Sequence, residues 1–416
     1  MPSGSKTKKD KEKGEKGSKG EKEKEKSCNG ASAEDQGALS ESQFLTTAAQ
    51  EASRQNDGRI GVAIIGAGPR ARYVLVPEIL RNPYLKLLAV WSVSRQSAQA
   101  LNAEVCQGAL DVYWLQGAEK EGATLDRLLL RQEIKGVVLA VPPAAYPSLV
   151  TKCCKAGKDI LSEAPVGVNL KGAGDVVNSY FALVQKMKKD KEASKHSKTP
   201  FSWHILQPLA SESFVTKLLT VEKDIGDLRH GELMVSIPLQ AQTRGNVNER
   251  MISSGNLLMY VIASHVGMIR KLLGEVSRVV GRVAQLTRHV AGPDTLAGML
   301  FVNQKGDQQP GQMVQVSVSF TFASQTEVFR LHLQGERGAL IVSLDDLKRG
   351  YIVKRDLGTY EHPMLNPTTG VQFNFENWAD YMRGVPRNLI DPHSHVVDLT
   401  VAEALLTSQG VPVAIR

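Results

Sequence analysis

At 416 residues, with 42% hydrophobic residues and a net charge of +8, the chain has apolar content for about two globular domains. Half of the charge sits between Lys6 and Lys26, where ten lysines face six acids without one apolar or aromatic residue. Such a stretch cannot bury enough surface to fold, and it lacks the form of a nucleic-acid grip, a mitochondrial presequence or a signal peptide.

No run approaches the ~20 apolar residues of a membrane span. Cys28, Cys106 and the adjacent pair Cys153-Cys154 show no metal-ligand spacing, and helical neighbours point about 100° apart, which disfavours a disulfide. A reducing, cytoplasmic setting is expected, with a nuclear one left open by the lysine-rich stretch.

In chain order, residues 1–57 read as a solvated tail. Ile60 to Ile65 is an apolar run suited to a strand buried on both faces, and it empties into Gly66-Ala67-Gly68-Pro69-Arg70-Ala71. That is a dinucleotide-binding fingerprint. Gly66 permits the tight turn, Gly68 lets the backbone approach a pyrophosphate, and Ala71 allows helix and strand to pack closely. Pro69 removes one phosphate donor, a loss that the charge of Arg70 can offset.

A helix follows to about Arg81, closed by Asn82-Pro83. Strands over Leu85–Val93, Asp111–Leu115, Ile134–Val141, Asp159–Glu163 and Phe201–Pro208 then alternate with helices over Thr124–Gln132, Tyr146–Ala156 and about Lys171–Ala193. This rhythm predicts a doubly wound parallel sheet. After Gly226 the period changes to two, over Glu232–Ile237, Val276–Leu286, Leu296–Val302, Met313–Phe322, Val328–Leu333, Leu340–Leu344 and Tyr351–Arg355. These predict a large, mostly antiparallel open sheet. A helix from Asn256 to Leu273 interrupts it, and helices over Phe375–Met382 and Val396–Ser408 end the chain, the last expected to pack back on the first domain. The expected division is a tail over 1–57, a Rossmann domain over 58–210, an open-sheet domain over 211–390 and a closing helix and strand over 391–416.

Cofactor choice is written at the end of the second strand. A Rossmann domain selective for NAD(H) carries an acid about twenty residues past the glycines, to hold the ribose hydroxyl. Here the strand ends Val90-Trp91-Ser92-Val93-Ser94-Arg95, with no acid. Ser92 and Ser94 can hydrogen-bond a 2′-phosphate and Arg95 can pair with it, so NADP(H) is expected ahead of NAD(H).

The order of parts, with Gly66-Ala67-Gly68, the Ala140-Val141-Pro142-Pro143 strand end, Ala156-Gly157-Lys158-Asp159-Ile160-Leu161-Ser162-Glu163 and Gly410-Val411-Pro412-Val413, resembles the Gfo/Idh/MocA oxidoreductase family, and a eukaryotic NADP-type branch of it. The resemblance covers roughly residues 59–416. It implies that Pro142 and Pro143 border the nicotinamide and that Glu163 stands beside the cofactor. It also implies hydride transfer at a sugar or polyol carbon, assisted by a lysine in a Glu-Lys-Pro motif and by an aspartate and a histidine four residues apart on a helix of the second domain. Those positions read Ala164, Tyr260 and Ser264 here, and the branch's Asn-x-Arg is replaced by Gln207-Pro208-Leu209.

Tyr260 is a replacement acid or a core aromatic. His265 stands one residue from the old histidine position, a rotation of about 100° that should aim it elsewhere. His204, beside Trp203, is a packed strand residue or a group near the nicotinamide. His393 and His395 begin a helix, where alternate residues diverge rather than share a metal.

Two readings follow. In one the chain is a catalytically degenerate oxidoreductase homologue, a pseudoenzyme that binds NADP(H) and serves a binding or regulatory role. In the other it is an active NADP-dependent oxidoreductase on a sugar, polyol or carbonyl substrate, with Tyr260, His265 or His204 moving the proton. A homo-oligomer, such as a dimer through the open sheet, is expected in either case.

Overall fold

The computed structural model describes residues 58–192, 201–239, 256–288, 292–304, 313–345, 350–358 and 364–415. The lysine-rich stretch and Cys28 lie outside them.

The first part builds β1 (Ile60–Ile65), a π turn (Ala71–Leu75) running into α1 (Val76–Arg81), β2 (Leu85–Ser92), α2 (Arg95–Cys106), β3 (Asp111–Trp114), α3 (Ala118–Glu121), α4 (Leu125–Leu130), β4 (Ile134–Leu139), α5 (Tyr146–Lys155), β5 (Asp159–Glu163), α6 (Leu170–Glu192) and β6 (Trp203–Leu206). The six strands are parallel in the order β3-β2-β1-β4-β5-β6. The order reverses between β1 and β4, which opens a crevice at the strands' carboxyl ends. Val62 to Ile65 have no exposure, as expected of a central strand covered on both faces. Three short elements of the chain escape periodicity: α2 and α3 here, and α7 (Ser213–Val221) after β6.

The second part builds β7 (Leu228–Ser236), α8 (Leu257–Leu272), β8 (Gly274–Ala284), β9 (Thr295–Gln304), β10 (Met313–Thr321), β11 (Val328–Gly335), β12 (Ala339–Asp345), β13 (Gly350–Asp356) and β14 (Met364–Pro367), followed by α9 (Gly370–Met382), α10 (Pro392–Thr407) and β15 (Val413–Ala414). Its nine strands take the order β14-β13-β12-β11-β7-β10-β9-β8-β15, antiparallel except where β7 pairs with β10. Alternation along β10, with Val314, Val316, Val318 and Phe320 buried, aims one face at α8 and the core.

The chain then returns to its first sheet. Phe375 and Trp378 of α9 join Val62, Ile64, Val138 and Leu206 in one apolar cluster. Gly136 of β4 leaves the room, since a Cβ there would lie 2.7 Å from the Trp378 ring. It is thus α9, grouped by sequence with the open sheet, that covers the first sheet's face. The closing helix α10 packs on α8 and β8 and also meets α6 and β6. No described helix is long and apolar enough to cross a membrane.

Candidate nucleotide and ligand site

At the crevice, Gly66 has φ of +115°, and its N–H donates to the Trp91 carbonyl at 2.7 Å. A Cβ on Gly66 would lie 2.1 Å from the Ala140 carbonyl oxygen, so only glycine lets the turn sit on the end of β4. A Cβ on Gly68 would meet nothing within 4 Å. The backbone is bare and open at the point where a phosphate would lie, ahead of the Ala71 helix, and these residues fit a nicotinamide nucleotide. When bound, that cofactor supplies a carbon that gives or takes hydride.

The neighbouring side chains have definite partners. Arg70 Nε donates to Glu163 Oε2 at 2.9 Å, so its charge goes to the end of β5. Tyr146 steadies that end by donating its hydroxyl to the Glu163 carbonyl at 2.7 Å. Pro142 is exposed and Pro143 half-buried where β4 passes into α5. Ala164 follows Glu163 and brings no polar group.

On the other side, Ser92 is buried, and Ser94 caps α2 by accepting from the Ser97 N–H at 3.3 Å. Arg95 is exposed beside it, but its Nη1 donates to Glu121 Oε1 at 2.7 Å and its guanidinium lies 4.4 Å over the Trp114 ring. Sequence reasoning missed both partners, which lie on β3 and on the short α3, without any local motif.

A cavity of about 320 Å³ lies between the end of β6, helix α8 and the inner face of the open sheet. Its wall is mostly apolar: Val235, Ile237, Val261, Val328, Phe329 and Leu344. Its polar lining comes from Gln207, Ser236, Ser264, His265, Glu327 and Tyr351.

The one-residue offset does not turn His265 away from the cavity. His265 lines the cavity together with Ser264, because Val261, Ser264 and His265 form one i, i+3, i+4 stripe. His265 Nδ1 lies 2.7 Å from the Val261 carbonyl, and its ring packs on Phe320 and Phe329 at centroid distances of 5.3 and 5.9 Å. Burial pushes its pKa down to about 4, against the hydrogen bond to Val261, so the ring is neutral near pH 7.

Tyr260 does not line the cavity. Its hydroxyl donates to the Val168 carbonyl at 2.8 Å, tying α8 to the segment after β5, and burial raises its pKa. Ser264 Oγ donates back to the Tyr260 carbonyl at 3.1 Å. His204 stays away from the crevice. Strand alternation sends Trp203 and Ile205 into one core, and His204 packs edge-on to Tyr381 of α9 at 4.9 Å. His395 is buried without a partner while His393 is exposed, so the pair diverges.

Gln207, directly after β6, is held from behind. Its Nε2 donates to Asp398 Oδ2 at 2.7 Å, and Asp398 Oδ1 accepts from Arg270 Nη1 at 2.6 Å. Burial pushes the Asp398 carboxyl above the usual range, while Arg270 and Gln207 pull it back.

A bare glycine turn at the switch point of a six-stranded parallel sheet, followed by a second sheet with a cavity of its own, is the architecture of a two-domain dinucleotide-binding fold. Residues 60–182 match the model of the Gfo/Idh/MocA oxidoreductase family's NAD-binding Rossmann fold. Over these residues the chain is similar to that family of NAD(P)-binding oxidoreductases. A dehydrogenase of Fusarium mangiferae is 34% identical over 121 residues, which are 29% of this chain and 34% of that protein. The chain thus spans about a third of the length of this curated relative. An oxidoreductase of Thermotoga maritima shares the fold with a TM-score of 0.68 at 18% identity, over 86% of this chain and 98% of that one. An oxidoreductase of Agrobacterium radiobacter, solved with NAD+, L-tartaric acid and magnesium, does so with a TM-score of 0.66 at 14% identity, again over 86% and 98%.

Proposed function

We propose that the chain binds NADP(H) in the crevice and a small ligand in the adjoining cavity, and that it is a degenerate oxidoreductase which carries little or no hydride transfer. The observation that carries this reading is the fate of the three proton-handling positions. One is Ala164, one is Tyr260 with its hydroxyl spent on Val168, and one is Ser264 with its hydrogen spent on Tyr260. Oxidising an alcohol requires its proton to leave as the hydride leaves, and a positioned proton carrier commonly contributes ~10²–10⁴-fold. The preference for NADP(H) rests on Arg95 and on the missing acid at the end of β2.

The cavity position of His265 favours a second reading, in which its free Nε2 takes the proton. A pKa near 4 makes it a weak base at neutral pH. The test is a fluorescence titration with NADPH and with NADH, followed by turnover of the NADPH-loaded protein over sugars, polyols and carbonyl compounds. Tighter binding of NADPH without turnover is the expected result. Turnover that collapses in His265→Ala would establish the active enzyme instead.

A further inference from the structure

The hydrogen bonds around the cavity fix which kind of polar group it can receive. A carboxylate only accepts at neutral pH, so the Gln207 amide turns its Nε2 toward Asp398 and keeps Oε1 as an acceptor and one further N–H as a donor. A carbonyl only accepts, so His265 carries its hydrogen on Nδ1 toward Val261 and keeps a lone pair on Nε2. Ser236 donates to the Thr326 carbonyl at 2.8 Å and Ser264 donates to Tyr260, which leaves both hydroxyl oxygens as acceptors. The donors in the lining are the Tyr351 hydroxyl and the second Gln207 amide hydrogen. The polar lining is therefore rich in acceptors and poor in donors, and it sits in a wall of valine, leucine, isoleucine and phenylalanine.

A polyhydroxylated ligand needs several donors and acceptors in the protein, because each hydroxyl buried without a partner costs affinity. A carbonyl oxygen needs a donor. The acceptor pair of Ser264 and His265 suits neither. Resting on the reading that it is the ligand subsite beside the nucleotide, we infer that it binds a compact, largely apolar alcohol, whose single hydroxyl donates into the acceptor set of Gln207, Ser264 and His265. A volume of about 320 Å³ admits one ring with small substituents.

The test compares three six-membered rings on the full-length protein by ligand-observed NMR titration: cyclohexanol, cyclohexanone and myo-inositol, each with and without NADPH. Cyclohexanol is expected to bind at least about a hundredfold more tightly than myo-inositol, since five further hydroxyls would go unmatched, and more tightly than cyclohexanone. Ser264→Leu, which fills the cavity from a helix position that favours leucine, should abolish the cyclohexanol signal. Equal or tighter binding of myo-inositol or cyclohexanone overturns the inference, as does no binding of cyclohexanol to the wild-type protein. NADPH binding is read separately by fluorescence. Failure of the ring series with NADPH bound leaves the nucleotide reading standing, and cyclohexanol binding without NADPH affinity leaves only the cavity.

Discussion

Arg95 shows how a residue's meaning depends on partners that sequence does not announce. The serines and the arginine at the end of β2 are legible as a phosphate-binding set, since their chemistry and their distance from Gly66 are both local. Glu121 is not legible, because α3 is a single turn between glycines and its approach to Arg95 depends on how β3 packs beside β2. A carboxylate at 2.7 Å competes with any phosphate for the same guanidinium. The pair is half-exposed, so breaking it costs ~0–1 kcal/mol. Glu121→Gln should therefore tighten NADPH by up to about fivefold and leave NADH nearly unchanged. Arg95→Ala should weaken NADPH about tenfold or more and erase the preference. Equal effects on both nucleotides in fluorescence titrations would remove the assignment of this pair to the 2′-phosphate.

At the scale of elements, the site depends on two helices and a strand end meeting around one carboxylate. Gln207 follows β6, Arg270 lies on α8 and Asp398 on α10, 191 residues from the glutamine it holds. The meeting needs Gly267 on α8, where a Cβ would fall 2.8 Å from Gln207 Oε1 and 2.9 Å from Asp398 Oδ2. Sequence alone offers the opposite expectation for this glycine, because alanine is favoured in a helix interior by ~1 kcal/mol. Gly267→Ala should instead destabilise by ~1–3 kcal/mol, as the amide and carboxylate are pushed off their hydrogen bonds. Its effect on cyclohexanol binding should exceed its effect on NADPH binding. A raised denaturation midpoint would show that the network yields at no cost. Long-range convergence of this kind leaves no periodicity to read, whereas the i, i+3, i+4 stripe that brings Val261, Ser264 and His265 to one wall is legible in the sequence once the helix face is taken whole.

At the scale of the molecule, the alternation of apolar runs made both sheets legible, while the course of α9 across the first sheet depends on the shape match of Gly136 and Trp378. Among the described residues, three imidazoles are largely buried. His204, His265 and His395 each have a pKa lowered to about 4, by burial in every case, from an ordinary 6.5. Below pH 6.5 the unfolded chain takes up a proton at each of them that the native chain refuses, so stability present above pH 6.5 is lost as pH falls toward 4. Asp398, raised to about 6 by burial, works in the opposite sense between its ordinary 3.8 and that value, so the histidine contribution has to be read as a difference. His395 serves best, because it is fully buried with both ring nitrogens unpartnered and takes no part in the cavity. Replacing it with leucine removes one proton from the linkage, about 1.4 kcal/mol per pH unit across that window. His395→Leu should lie within ~1 kcal/mol of the parent at pH 7 and be clearly the more stable at pH 5 in urea unfolding. Parallel stability curves for the two proteins from pH 7 to pH 4.5 would mean that His395 titrates alike in the folded and unfolded chain, and that water or a polar neighbour reaches its ring.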